Sequence, residues 1–297
     1  MPPTHLVAGA TGDIGRRIVR ELRALNANVR VLTRPGASDV PFADDDGIQV
    51  VTADYTDPDA LRAAMDGVDV VVSAVSGARP VIVDAQRALL TAAVAAGVPR
   101  FIPSDYSGDY RRITPGSNRN FELRREFQAN LDAVPIRASS VLIGAFTDML
   151  TGQAPLVLPK LKRVLFWSDP DQLMDFTTKD DTARVTARVA FDDDAPRFVE
   201  VAGDRVSARD LAGAMTRITG ETYRVQWAGT TGTLAGMARV MRSRSSDRAS
   251  AFPAWQGMQH MVSMYNGESE LQYVDNNRYG STTWVSAEDV LAEHFGR

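Results

Sequence analysis

Cysteine is absent from this chain, and lysine is almost absent. The 297 residues contain no Cys, which excludes disulfides, thiolate zinc sites, iron–sulfur clusters and cysteine nucleophiles. Of the 33 basic residues only Lys160, Lys162 and Lys179 are lysines, so lysine chemistry is scarce. No apolar run approaches the about 20 residues that a membrane helix needs. The net charge of -4 argues against a nucleic-acid binder, which usually carries a basic face.

The sequence also shows no signal for secretion or for metal binding. Met1–His5 has no basic segment followed by an apolar run, so we expect no secretory signal and a cytoplasmic protein with no membrane or nucleic-acid partner. The three histidines lack the spacing of metal ligands, so no metal site is expected. Two acidic runs, Asp44–Asp46 and Asp192–Asp194, are typical of solvated loops.

Short β-type runs alternate with helical segments over the first half of the chain. The predicted strands are His5–Ala8, Val29–Leu32, Gln49–Thr52, Val68–Val72, Arg100–Ile102 and Ile136–Val141. Helices are predicted over Ile14–Leu25, after the Asp57-Pro58 start signal, over Val81–Ala96 and over Glu122–Leu131. This alternation predicts an α/β fold with right-handed crossovers and a doubly wound parallel sheet of the Rossmann type.

The pattern becomes less regular after about residue 142, where Pro155, Pro159 and Pro170 interrupt a strand-like region. The predicted elements that follow are helices over Asp180–Ala190 and Ser207–Ile218, strands over Phe198–Val201 and Tyr223–Trp227, and mostly helix over 230–265 and 286–295. The second of these helices is opened by Ser207, with Asp210 three residues later. We predict an NAD(P)-binding Rossmann domain over 1–145 and a smaller α+β substrate or cap region over 146–297. Some segments of the second region are expected to return to the Rossmann sheet.

The strongest motif directly follows the first predicted strand. It reads Gly9-Ala10-Thr11-Gly12-Asp13-Ile14-Gly15 and opens a helix. Glycines permit the tight turn, the close approach of backbone to a diphosphate and the packing of helix against strand. The helix N-terminus then offers N–H groups and a positive dipole to the phosphates. The position between a strand and a helix is the context that supports dinucleotide binding.

The end of the second predicted strand indicates which nucleotide is preferred. An NAD site usually places Asp or Glu there, about 20 residues after the glycines, to bind the ribose 2′-hydroxyl. Here the first charged side chain is Arg34, which is suited to bidentate pairing with a 2′-phosphate. NADP(H) is therefore predicted in preference to NAD(H), and a solvated loop arginine is the alternative.

These features, with the segments Ala53–Asp57, Phe101–Tyr106 and Asp175–Asp181, resemble the atypical short-chain dehydrogenase/reductases. Within them the chain is most similar to the NmrA-like and isoflavone-reductase-like group of NADPH-binding proteins. The resemblance implies a diphosphate contact by the glycine loop, a 2′-phosphate contact by Arg34, and further contacts to the adenine and towards the nicotinamide. The cofactor residues predicted in this way are Gly9, Thr11, Gly12, Asp13, Ile14, Gly15, Arg34, Asp54, Tyr55, Ser73, Ala74, Val75, Ser104 and Phe146.

The proton-transfer residues are less clear. No tyrosine is followed by lysine four residues later, as it is in common short-chain reductases. The isoflavone-reductase-like group carries a lysine in a Phe-x-x-Lys segment, which here reads Phe121-Glu122-Leu123-Arg124. Arginine keeps its proton near neutral pH, so Arg124 cannot act as a general base. It either orients an anion, holds the cofactor or stabilises negative charge, or it is a solvent-facing arginine. Tyr106 and Asp105 are the other catalytic candidates.

Two functions fit these observations. The first is an NADPH-dependent oxidoreductase that reduces a small aromatic or carbonyl-bearing compound by hydride transfer. The second is a non-catalytic NADP(H)-binding redox sensor that regulates a protein partner, and the missing Tyr-x-x-x-Lys pattern and Arg124 favour it. We expect the enzyme, with a small-molecule substrate and a monomeric or homodimeric state.

Overall fold

A computed structural model describes residues 2–37, 41–42, 47–246, 250–279 and 283–296 of the chain. The predicted loop at Asp44–Asp46 lies outside these residues, whereas Asp192–Asp194 follows a helix as a turn. The chain forms two compact units that interleave along the sequence. Unit 1 comprises Met1–Tyr106, Leu123–Val141 and Thr182–Val199, and unit 2 comprises Ser107–Glu122, Leu142–Asp181 and Glu200–Arg297. The division predicted between residues 145 and 146 stays a prediction.

Short strands and helices follow one another along the described parts of the chain. The strands are β1 (Thr4–Ala8), β2 (Asn28–Thr33), β3 (Ile48–Thr52), β4 (Val70–Ser73), β5 (Arg100–Ile102), β6 (Arg137–Ala138), β7 (Ser140–Leu142), β8 (Ala145–Phe146), β9 (Val157–Leu158), β10 (Arg163–Phe166), β11 (Met174–Thr177), β12 (Phe198–Glu200), β13 (Asp204–Val206) and β14 (Arg224–Trp227). The α-helices are α1 (Asp13–Ala24), α2 (Pro58–Ala64), α3 (Gln86–Ala95), α4 (Arg119–Asp132), α5 (Lys179–Phe191), α6 (Ala208–Thr219), α7 (Thr231–Arg244), α8 (Ala254–Tyr265), α9 (Asn276–Tyr279) and α10 (Ala287–Phe295). A π-helical turn over Pro80–Ala85 leads directly into α3.

Unit 1 is built on a six-stranded sheet with the order β3-β2-β1-β4-β5-β6. All of its neighbouring strands are parallel, with Val7 opposite both Val31 and Val72. The chain leaves β1 towards β2 on one side and later returns to β4 on the other, so a topological switch point lies between them. Ligands of open α/β sheets bind at the carboxyl ends of the strands at such a point. The predicted doubly wound α/β fold is confirmed.

Burial explains why these segments form strands and helices. All four residues of β4 are buried, as expected for a central parallel strand that is covered on both faces. In α1 the buried residues Ile18, Val19 and Leu22 recur at helical spacing. Helix α2 begins as predicted, because the Asp57 side chain accepts a hydrogen bond from the Ala60 N–H at 3.0 Å.

Unit 2 contains two small sheets, with the orders β14-β10-β9 and β13-β11-β8. The sequence predicted only an interrupted strand-like region before residue 180, and the structure has four short strands there, β8–β11. Helix α6 begins with a reciprocal capping box between Ser207 and Asp210, as its sequence predicts. The core of this unit includes Trp167, whose ring centroid lies 5.5 Å from that of Tyr265. Within the described ranges, no helix combines the length and apolar character that crossing a bilayer requires.

Candidate functional site

The glycine loop that follows β1 contacts the chain that leaves β4. Gly9 has a φ of +78°, a left-handed conformation that favours glycine. A Cβ atom on Gly9 would lie 2.7 Å from the Ala74 carbonyl oxygen, and one on Gly15 would lie 2.2 Å from the Gly9 carbonyl oxygen. Side chains at either position would therefore separate the loop from α1 or from β4. The local structure requires the two glycines, independently of any ligand.

The N-terminus of α1 has no side-chain cap. Gly12 is the N-cap residue, and its N–H donates to the Gly9 carbonyl at 3.0 Å. The first N–H groups of any α-helix have no acceptor within the helix and carry the positive end of its dipole. Thr11 and Gly12 are exposed beside them. A diphosphate fits this arrangement, because it accepts hydrogen bonds from backbone N–H groups without needing a cationic side chain.

The charged residues around this loop each have a local partner. The Asp13 carboxylate forms an ion pair with Arg17 at 2.8 Å, one turn further along the helix. The Arg16 Nε atom donates to the Thr11 carbonyl at 2.8 Å. Both arginines therefore have local partners near the helix N-terminus, where a cation would otherwise oppose the helix dipole.

The ends of β2 and β3 carry the predicted adenosine-side residues. Arg34 directly follows β2 and is exposed, and it makes no ion pair within the part of the chain that the structure describes. Burial raises the pKa of Tyr55 to about 12, against the opposing effect of the Arg34 charge. Asp54 is exposed, and two hydrogen bonds from Thr56 lower its pKa. The structure brings Arg34 and Tyr55 together at one edge of the sheet.

The end of β4 is connected to the end of β5 by hydrogen bonds. The Ser104 hydroxyl donates to the Val75 carbonyl at 2.6 Å, and the Ser104 N–H donates to Gln86 Oε1 at 2.9 Å. Gln86 in turn donates to the Ile82 carbonyl at 2.7 Å. Gln86 was not predicted as a site residue. The available signal was a lone amide side chain within an Ala-rich helix, which is the kind of residue that holds a neighbouring loop by hydrogen bonds. Ser104 positions the loop here, and its contact with a cofactor stays a prediction.

The three catalytic candidates lie together beside this loop. Arg124 Nε donates to the Asp105 carbonyl at 3.0 Å, and the Tyr106 hydroxyl donates to the Ser73 carbonyl at 3.3 Å. Asp105 and Tyr106 are buried, whereas Arg124 is half-buried. Burial raises the pKa of Tyr106, although a hydrogen bond with Thr186 partly opposes this effect. The phenol is therefore protonated at neutral pH, so it can donate a hydrogen bond but cannot act as a base.

Phe146 belongs to unit 2. It lies in β8, opposite Thr177 of β11, and the Lys179 ammonium lies 5.9 Å from its ring centroid. Lys179 also forms an ion pair with Asp148 at 2.5 Å. The role of Phe146 in cofactor binding stays a prediction. Among the described side chains, no group of three or more His, Asp or Glu is placed to hold a metal ion.

The sequence matches the model of a known protein family over most of its length. The model for the NmrA-like family matches residues 3–276. The chain belongs to the NmrA-like family. The resemblance predicted from the glycine loop and the segments after the third and fifth strands is confirmed.

Several curated relatives of the chain are reductases by name. The chain is 31% identical over 206 residues to pinoresinol reductase 1 from Arabidopsis thaliana, which covers 63% of this chain and 64% of that protein. It is 27% identical over 239 residues to a bifunctional pinoresinol-lariciresinol reductase from Linum perenne, covering 74% and 76%. The chain thus matches slightly less than two thirds of the length of the first relative.

Solved structures share the fold over nearly the whole chain. The structure of AtPrR2 with NADP+ and (+)-pinoresinol has a TM-score of 0.83 and 23% identity, and it covers 99% of both chains. An isoflavone reductase has a TM-score of 0.81 and 18% identity, with the same coverage. A leucoanthocyanidin reductase–NADPH complex from Vitis vinifera has a TM-score of 0.81 and 17% identity and covers 99% of this chain. At these identities the likeness establishes the fold.

Proposed function

We propose that this protein is an NADPH-dependent reductase of a small aromatic or carbonyl-bearing compound. The observation that carries the proposal is the glycine loop at the uncapped N-terminus of α1, together with the exposed Arg34 at the end of the neighbouring strand β2. The relatives support it, because curated proteins of similar sequence are named pinoresinol and pinoresinol-lariciresinol reductases.

The residues present fit the nucleotide in three places. Backbone N–H groups at the uncapped N-terminus of α1 would hold the diphosphate, beside the exposed Thr11 and Gly12. Arg34 would bind the 2′-phosphate through its planar guanidinium group. Asp54 and Tyr55 would border the adenine, and the chain from Ser73 to Val75 would extend towards the nicotinamide.

When bound, NADPH supplies the hydride, and the protein supplies orientation and electrostatics. Arg124 would provide a permanent positive charge where negative charge develops on the substrate. Its hydrogen bond to the Asp105 carbonyl limits the orientations of the guanidinium plane. Tyr106 remains protonated because burial raises its pKa, so it would serve as a hydrogen-bond donor or acid and not as a base. Asp105 and Tyr106 are the proposed candidates for the proton route.

The proposal is tested by binding and turnover measured separately. Calorimetric titration with NADPH and NADH should show tighter binding of NADPH. Oxidation of NADPH is then followed by the loss of absorbance of the reduced nicotinamide. The compounds tested are pinoresinol, lariciresinol, isoflavones, quinones, enones and aryl carbonyls. Substrate-dependent oxidation with at least one class supports the reductase. Tight NADPH binding without turnover on any compound would contradict it and would favour the NADP(H) sensor.

We also propose a cytoplasmic location and a monomeric or homodimeric state, as expected in the sequence analysis. Sedimentation of the purified protein with and without NADPH tests the oligomeric state. A species larger than a dimer would contradict it.

A further inference from the structure

A cavity of about 320 Å³ in unit 2 is lined mainly by arginine. Its lining residues are Arg119, Arg239, Arg242, Ser243 and Trp255. They come from the first turn of α4, from the last turns of α7 and from the first turn of α8. Of the described residues that line it, three are cationic and none is acidic. None of these residues belongs to the glycine loop or to the cluster around Arg124.

A buried tryptophan holds two of the guanidinium groups in place. Trp255 is only 2% exposed. The guanidinium carbon of Arg119 lies 4.6 Å from its ring centroid, and that of Arg242 lies 5.2 Å from it. Contacts of this kind are attractive and restrict the position of the cation. Arg119 is fixed further, because its guanidinium group donates to the carbonyls of Ser250 and Ala251 at 3.1 and 2.9 Å.

Two of the three arginines that line the cavity have no acidic partner among the described residues. Neither Arg239 nor Arg242 forms an ion pair within those residues, and both are exposed. Burial lowers the pKa of Arg119, and the charge of Arg242 lowers it further. Like charges that are held close together repel each other. A bound anion attracts both of them, and this attraction offsets the repulsion.

The backbone of α4 does not compete for such an anion. Asn118 caps the helix, because its Oδ1 atom accepts from the N–H groups of Asn120 and Phe121 at 3.2 and 3.4 Å. The Arg119 N–H donates to Gln259 Oε1 at 3.1 Å.

The lining side chains carry a hydroxyl on Ser243, which donates to the Val240 carbonyl at 2.8 Å, the indole N–H of Trp255 and three guanidinium groups. The planar forks of the guanidinium groups match the oxygens of carboxylates and phosphates.

We propose that this cavity binds the phosphate or carboxylate group of a small organic anion. The oxyanion would be held by Arg239 and Arg242 of α7 and by Arg119 of α4, above the buried face of Trp255. This proposal does not rest on the reductase activity. It assigns a second, cationic binding site to the protein.

The test compares two lining arginines with a third arginine of the same helix. Inorganic phosphate, phenyl phosphate and benzoate are titrated and followed by ligand-observed NMR, which detects weak binding. The variants are Arg239→Gln/Arg242→Gln and, as a control, Arg244→Gln, which removes an exposed charge of α7 that does not line the cavity. Because all three side chains are exposed, we expect the far-UV circular dichroism to be unchanged and the melting temperature to fall only slightly, through loss of the contact between Arg242 and Trp255.

Binding of at least one probe should weaken about tenfold or more in the double variant, because hydrogen bonds to charged groups contribute that much. The Arg244→Gln protein should bind as the parent protein does. A preference for phenyl phosphate or for benzoate would identify the oxyanion. The proposal is overturned if no probe binds at about 10 mM, if the double variant binds all probes normally, or if Arg244→Gln weakens binding equally. Any contribution from the glycine loop is common to all variants and cancels in the comparison.

Discussion

Arg124 Nε donates a hydrogen bond to the carbonyl oxygen of Asp105 at 3.0 Å. This bond connects α4 to the chain that leaves β5, directly before Tyr106. The Tyr106 hydroxyl in turn donates to the carbonyl of Ser73, the last residue of β4. The ends of two neighbouring strands and the helix are thus connected through backbone carbonyls. A guanidinium group in this position supplies a permanent charge with a limited range of orientations, which a lysine ammonium would not do.

Replacing Arg124 should separate a charge effect from a proton-transfer effect. We expect Arg124→Met to lower kcat/KM about a hundredfold or more, because a donor to developing negative charge is lost. Arg124→Lys should retain part of the activity but lose it at alkaline pH, as the lysine deprotonates through an ordinary pKa of about 10.4. The parent protein should show no such decline, since arginine remains charged. The measurement is the pH profile of kcat/KM for all three proteins.

The control for this series is Arg125→Met, which removes the neighbouring charge in α4. This variant should keep the activity and the pH profile of the parent protein. Melting temperatures report whether losing the bond to the Asp105 carbonyl unfolds the protein. Unchanged kcat/KM in a folded Arg124→Met protein would remove Arg124 from the mechanism.

Arg34 should set the preference for NADPH over NADH. Replacing it by Ser removes the charge-assisted hydrogen bonds to a 2′-phosphate, so the affinity for NADPH should fall about tenfold or more while that for NADH stays the same. Arg34→Asp should erase the preference altogether. Calorimetric titration with both nucleotides measures the effect. Arg20→Ser, at an exposed position of α1, is the control and should change neither affinity. Equal affinities of the parent protein for the two nucleotides would defeat the role assigned to Arg34.

Gly15 should be intolerant of even the smallest side chain. A Cβ atom there would lie 2.2 Å from the Gly9 carbonyl oxygen and 2.7 Å from the Ala10 Cα atom, both of which are backbone. Gly15→Ala should therefore displace the loop, cost about 1–3 kcal/mol of stability and abolish nucleotide binding. Gly236→Ala in α7 is the matched control, because nothing lies within 4 Å of its Cβ position. It should be neutral or stabilise the protein by up to about 1 kcal/mol. Urea unfolding measures the stability of both variants, and calorimetry measures their nucleotide binding. Normal nucleotide binding by Gly15→Ala would contradict the role assigned to the glycine loop.

The parts of the fold that were predicted correctly depend on local signals. The strand ending at Ala8, the glycine loop and the cap at Asp57 are each specified within a few neighbouring residues. The same holds for the capping box of Ser207 and Asp210. Parallel strands then place their carboxyl ends along one edge, so Tyr106, which follows the fifth strand, lies close enough to the end of β4 to donate to the Ser73 carbonyl.

The parts that were missed depend on contacts distant in sequence. Gln86 reads as one polar residue in an Ala-rich helix, and only its bond to the Ser104 N–H, 18 residues away, explains its burial. Strand β10 was not predicted, because its four residues are too few for a clear alternating pattern and its parallel partner, the predicted strand β14, is about 60 residues away in sequence. Helix α4 begins at Arg119, three residues before the predicted start, because Asn118 caps it while bonded to Gln256.

His5 should make the protein less stable in mild acid. Burial lowers its pKa below 6.5, and its Nε2 atom lies 3.4 Å from the Ala190 carbonyl oxygen. As the pH falls below 6.5, the unfolded chain takes up a proton before the folded protein does, so the free energy of unfolding decreases until the folded pKa is passed. His5→Phe should reduce this decrease, and His294→Phe, at an exposed position, should not. Urea unfolding between about pH 7.5 and about pH 5 measures the three proteins. The same pH dependence in the parent and His5→Phe proteins would show that the acid sensitivity arises from other groups.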